Sequence, residues 1–158
     1  MLIRNAVQPL LLEPRLTAEI AAFMQSLYDS VDRQVSPAQP ACRNCTSCCD
    51  FARSGLDLFV TNLEAAYFVQ NVRPIPPVPD RRCPFLIPNG CSVRPVRPLG
   101  CRIYFCRPPA HYDQQLLYEE TQAALKQFLN QHKLPYYYAE WIQTLRSLGS
   151  PPYLPGEQ

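Results

Sequence analysis

The sequence predicts a mainly α-helical fold with irregular loops and one small β-hairpin, in a single domain (residues 1–158) organised around a cluster of cysteines. Three observations predict it. Apolar residues recur at helical spacing on both sides of the cysteines. Two short apolar runs flank Pro88-Asn89-Gly90, a turn signal. All eight cysteines lie between Cys42 and Cys106, in a proline-containing stretch that disfavours long regular elements.

A chain of 158 residues fits one domain of ordinary size, and 47% hydrophobic residues can furnish its core. Such a core does not depend on cross-links as that of a very small scaffold does. Thr17 is a good N-cap for a helix over residues 17–35, in which Ile20, Phe23, Leu27 and Val31 share one face, ending before Ser36-Pro37. Residues 56–60 are short, apolar and extended. Thr61-Asn62-Leu63-Glu64 is a capping-box pattern that opens a helix running to about Val72. Pro74, Pro76, Pro77 and Pro79 make residues 73–80 a surface connector.

The hairpin about Pro88-Asn89-Gly90 follows, and Pro95, Pro98 and Gly100 keep the next segment irregular. Asp113 caps a long helix with Leu117, Thr121, Leu125, Phe128 and Leu129 on one side. Leu134-Pro135 interrupts it. A second helix then carries Tyr138, Trp141, Ile142 and Leu145, with Pro135 tolerated in its first turn. Gly149, Pro151 and Pro152 end this helical pair, residues 113–148. There is no internal repeat.

The first apolar runs are broken by Gln8, Pro9 and Glu13, so no signal peptide is expected, and no apolar run is long enough to span a membrane. The expected setting is cytoplasmic, where thiols stay reduced and clustered cysteines bind metal more often than they form disulfides. The net charge of +2 says little about partners. Only Lys126 and Lys133 are lysines, which disfavours nucleic acid. From Arg81 to Arg107 there is no acidic residue, while Arg81, Arg82, Arg94, Arg97, Arg102 and Arg107 are all present. These arginines either compensate a negatively charged centre or form a solvated face.

The sharpest chemical signal is Cys42-Arg43-Asn44-Cys45-Thr46-Ser47-Cys48-Cys49. Cysteines separated by two residues can turn both sulfurs toward one ion. Neighbouring side chains normally diverge, so Cys48 and Cys49 are not expected to serve one tetrahedral ion together. Cys83, Cys91, Cys101 and Cys106 form a second, irregularly spaced group. Eight thiols allow two four-coordinate sites or one cluster with spare cysteines, and both zinc and an iron–sulfur cluster suit them. All eight are candidate metal ligands.

Other residues have plainer readings. His111 is a surface residue before it is a ligand. His132 caps a helix end. Asp50 is a polar loop residue, and Glu119-Glu120 is solvated because adjacent helical residues do not share a face. Tyr136-Tyr137-Tyr138 with Trp141 could stack a ligand or base, but packs the last helix more simply.

Cys42, Cys45, Cys48 and Cys49, then Cys83-Pro84-Phe85-Leu86, Cys91, Arg97-Pro98-Leu99-Gly100-Cys101-Arg102 and Cys106 together resemble the CxxCxxCC cysteine-cluster family (YkgJ-like), described as zinc- or iron-chelating. The resemblance covers residues 40–110 and departs at Val93-Arg94, where the family often has Ile-Tyr. It implies metal chelation through thiolates. A similar cluster occurs in flagellin lysine methylases, which implies a second reading: an iron–sulfur redox or accessory component of a protein-modification system, with a protein partner. A zinc module binding nucleic acid is the third. No nucleotide-cofactor fingerprint and no catalytic constellation is visible.

Overall fold

The structure is a computed structural model. It describes residues 14–38 and 46–149, with side chains from residue 17 onward. It is mainly helical, with two small antiparallel sheets of two strands each. In chain order come α1 (Pro14–Ala38), a 3-10 turn (Ser47–Cys49), α2 (Phe51–Ser54), β1 (Phe59–Thr61) and α3 (Asn62–Asn71). Then follow β2 (Leu86–Ile87), β3 (Gly90–Cys91), a 3-10 turn (Arg94–Val96), α4 (Leu99–Ile103), α5 (Gln114–Gln131), β4 (Tyr138–Glu140) and α6 (Trp141–Gly149). Among the described residues, no helix is long and apolar enough to cross a membrane.

α1 is longer than the expected 17–35. It starts at Pro14, not at a Thr17 cap, because proline's fixed φ suits a first helical turn. It also runs through Pro37 instead of stopping before Ser36. Val35 and Ala38 pack on the core and hold this last turn, where a missing N–H costs only one bond. Ile20, Met24, Tyr28 and Val31 are its deepest residues, with Phe23 and Leu27 at the margin.

α3 is the central element. The capping box forms as expected: Thr61 N–H donates to Glu64 Oε2 at 2.7 Å, and Glu64 N–H donates to Thr61 Oγ1 at 3.3 Å. Its Leu63, Ala65, Ala66 and Tyr67 belong to one apolar cluster with α1 and α5. Phe68 belongs to a second cluster with Phe85, Trp141, Ile142 and Leu145. α3 is therefore buried on almost every side. The 73–80 connector has no regular element, yet Ile75 and Val78 pack into the second cluster.

The hairpin forms at the expected place, pairing Leu86 with Cys91 and Ile87 with Gly90. Gly90 has φ +150, a conformation that side-chain-bearing residues avoid. α5 also forms as expected, with Leu116 N–H donating to the Asp113 side chain at 2.9 Å. His132 caps it: its N–H reaches the Phe128 carbonyl at 3.1 Å, and its ring Nδ1 lies 3.3 Å from Glu19.

Two expectations are corrected. The segment after the hairpin is not irregular throughout, because Leu99–Ile103 forms α4. Leu99 N–H donates to Glu64 Oε1 at 2.9 Å in a buried position, which anchors its first turn. Gly100 lets this turn press against Leu58, which a Cβ would meet. Second, the last helix begins at Trp141, and Tyr138 lies in β4 instead. β4 pairs with β1, Thr61 opposite Tyr138 and Phe59 opposite Glu140. Asn62 fixes the approach by donating to the Pro135 carbonyl at 2.9 Å. Glu140 then caps α6, accepting from Ile142 N–H at 3.0 Å and Gln143 N–H at 2.9 Å.

Candidate metal centre

The cysteines are brought together by backbone stitching between loops. Thr46 adopts the left-handed conformation, φ 65, and turns the chain into the Ser47–Cys49 turn. Asp50, read from sequence as a loop residue, caps α2 by accepting from Arg53 N–H at 3.1 Å. The same stretch is tied to the second cysteine group. Cys83 N–H donates to the Cys49 carbonyl at 3.0 Å, and Phe51 N–H donates to the Arg81 carbonyl at 2.9 Å. Leu86 N–H donates back to the Cys83 carbonyl at 3.3 Å, and the hairpin sets Cys91 beside Leu86. α4 carries Cys101.

The result is one cavity of about 430 Å³, lined by Cys48, Cys49, Cys83, Cys91 and Cys101. Phe51, Phe85 and Trp141 line it too, as do Arg94 and Arg97. Trp141 is packed edge-on to Phe68, ring centroids 4.9 Å apart. Cys106 is exposed and does not line the cavity. Cys42 and Cys45 lie outside the described residues. All six described cysteines are free thiols. As they stand, no three His, Cys, Asp or Glu side chains among the described residues close on a single point that could hold an ion.

Cys48 and Cys49 sit together at the end of the Ser47–Cys49 turn, and both line the cavity. The neighbouring Cys49 thiol, with help from Arg97 and against the cost of burial, holds Cys48 below the usual thiol range. The neighbouring Cys48, with burial, pushes Cys49 up. Burial raises Cys83 and Cys101 as well, and for Cys101 the neighbouring Cys83 adds to it. Without a cation Cys49, Cys83 and Cys101 favour their neutral form; a bound metal ion reverses that preference.

The arginine stretch divides into distinct roles. Arg97 lines the cavity with its Nε unpartnered, and its charge acts on Cys101, Cys91 and Cys48. Burial and the like charge of Arg94 pull its own pKa down. Arg102 belongs to neither expected role. It is buried, donates to both Asp32 carboxylate oxygens at 2.9 and 3.1 Å, and bonds the carbonyls of Arg97 and Pro95. Its guanidinium lies 3.8 Å from the centre of the Tyr28 ring. Arg81 pairs with Asp57, while Arg82 and Arg107 are exposed.

His111 is exposed and does not line the cavity, and Glu119 and Glu120 are exposed. Sequence reasoning found the Glu64 capping box but missed that this carboxylate also anchors α4. It missed the Arg102–Asp32 pair as well; both span long sequence separations and leave no local signal. No family model matches this chain, and neither a curated protein nor a solved structure matches it.

Proposed function

We propose that this chain is a thiolate metal-binding protein whose cysteines hold zinc or an iron–sulfur cluster in the cavity between the Ser47–Cys49 turn, the hairpin and α4. The observation that carries this reading is that five thiols from four separate stretches of chain line one cavity. Cysteines placed without a common purpose would be scattered among buried positions. The donor set suits the chemistry, since soft thiolates select zinc and iron–sulfur clusters over hard cations. The assigned ligands are drawn from Cys48, Cys49, Cys83, Cys91 and Cys101, joined by Cys42 and Cys45 from the same cysteine run. Cys106, exposed and outside the cavity lining, is left out of this ligand set.

Arg97 offsets the negative charge that several thiolates around one metal would build up. Bound metal would supply a cross-link between loops that hold little regular structure of their own. Residues 40–110 resemble the CxxCxxCC cysteine-cluster family, which supports the same reading. A reducing compartment such as the cytoplasm fits thiols kept free.

Metal analysis with a visible spectrum, on protein purified without oxygen, tests the proposal. Stoichiometric colourless zinc, or iron with inorganic sulfide and broad visible absorption, is expected. Cys101→Ser should lose metal and Cys106→Ser should keep it. Metal-free protein with titratable thiols, or one in which these cysteines are paired as disulfides, would overturn the reading.

A further inference from the structure

We propose that the cavity also binds a small amphipathic anion, an apolar or aromatic body carrying one negatively charged group, in the part that extends beyond the thiols. The cavity, about 430 Å³, falls in the size range of small-molecule sites and is far roomier than a closed tetrahedral ion needs. Its rim is where the molecule exposes its apolar side chains. Of the seven large hydrophobic residues exposed among the described residues, four line this one cavity: Leu56, Phe59, Tyr104 and Tyr138. Scattered exposure is ordinary, but concentration around one concavity marks a binding surface.

This rim is pre-organised. Phe59 and Tyr138 are diagonal neighbours on paired strands, their rings stacked with centroids 5.4 Å apart. The Tyr138 hydroxyl hydrogen-bonds the Tyr118 hydroxyl at 2.7 Å, and Tyr118 lines the same cavity. Holding aromatic side chains in place before binding removes an ordering cost from the ligand.

The charge on the walls selects the sign of the ligand. Apart from the thiols, the charged lining residues are Asp57, Arg94 and Arg97. Asp57 is engaged by Arg81, whereas the Arg97 Nε has no hydrogen-bond partner. A partly desolvated guanidinium with an unpartnered donor favours a carboxylate-, sulfate- or phosphate-type group.

The test is a titration of the protein as purified with anilinonaphthalene sulfonate, an aromatic anion, and with N-phenylnaphthylamine, its uncharged counterpart. Trp141 is the only tryptophan and lines the cavity, so dye bound there should quench its fluorescence by energy transfer. Saturable binding of the anion with that quenching is expected. Phe59→Ser and Tyr104→Ser, both at exposed positions, should weaken both dyes about tenfold. Arg97→Gln should weaken the anion about tenfold and leave the neutral dye unchanged, as for loss of one charge-assisted hydrogen bond. Ile87→Ser and Leu116→Ser, exposed but outside the cavity, serve as controls that should bind normally.

Absence of saturable binding would overturn the proposal. So would Phe59→Ser and Tyr104→Ser variants that bind as the unaltered protein does, or controls that lose as much. A concentration-dependent dimer that dissolves in Phe59→Ser, with no dye bound, would show that a second copy covers this face and would also overturn it. Phe59→Ser and Tyr104→Ser should retain full metal content, so this inference and the metal reading fail separately.

Discussion

Replacing Arg102 should cost far more than replacing the acid it pairs with. The guanidinium is 3% exposed, while the Asp32 side chain is 54% exposed. Arg102→Ala strips hydrogen bonds from the carbonyls of Arg97 and Pro95 and removes a desolvated cation from the Tyr28 ring. The stacked cation contributes about 2 kcal/mol and each orphaned carbonyl about 1–3 kcal/mol, less where water can reach it. The ion pair itself adds about 0–1 kcal/mol, because Asp32 stays hydrated when released. A loss of about 3–5 kcal/mol is therefore expected for Arg102→Ala, against no more than about 1 kcal/mol for Asp32→Asn. Arg102→Lys should fall between them, since a point charge cannot make the forked contacts. Urea unfolding followed by circular dichroism, compared at constant slope, measures all three. Equal losses for Arg102→Ala and Asp32→Asn would refute the reasoning, as would a loss below about 1 kcal/mol for Arg102→Ala.

Two further substitutions probe the central helix and the cavity wall. Glu64→Gln places an amide NH₂ against the Thr61 or Leu99 N–H, both donors, and should cost about 1–3 kcal/mol in the same assay. Burial raises the Glu64 pKa, so its contribution is fully present below the ordinary glutamate pKa of about 4.3 and fades as pH rises through the folded value; the Glu64→Gln deficit should be largest in acid and shrink toward neutrality. Trp141→Ala empties a site 2% exposed and edge-packed on Phe68, and should cost about 3–5 kcal/mol of unfolding free energy. A loss of less than about 1 kcal/mol would show that the second apolar cluster does not depend on that ring.

What could be read from the sequence is what depends on neighbours in the chain. The Thr61–Glu64 capping box, the Asp113 cap and the Pro88-Asn89-Gly90 turn are short-range signals, and each forms where its residues predict. α4 and β4 were not legible because their causes are distant. α4 depends on a carboxylate 35 positions earlier, and β4 on a strand that pairs Tyr138 with Thr61. Tyr138 happens to extend the helical spacing of Trp141, Ile142 and Leu145 backwards, and the pairing overrides it. The cysteine run marked the site, yet not which thiols meet. Cys101 and Cys106 are close in sequence, but α4 ends at Ile103 and only Cys101 reaches the cavity. Nor could composition separate Arg97, which faces the thiols, from Arg102, which is consumed by Asp32 and backbone carbonyls.

The β1–β4 ribbon has a consequence for how the protein comes into being. All eight cysteines precede residue 107, whereas Tyr138 and Trp141, which complete the wall around five of them, lie more than thirty positions later. Chains emerge from the ribosome in order, N-terminal part first. The thiols that line the cavity are therefore made before the strand that completes its wall. The nascent chain passes through a stage in which the thiols of the cavity are present but open to solvent, to oxidants and to any metal within reach. Closure waits until β4 has been made, when it finds a strand already waiting for it.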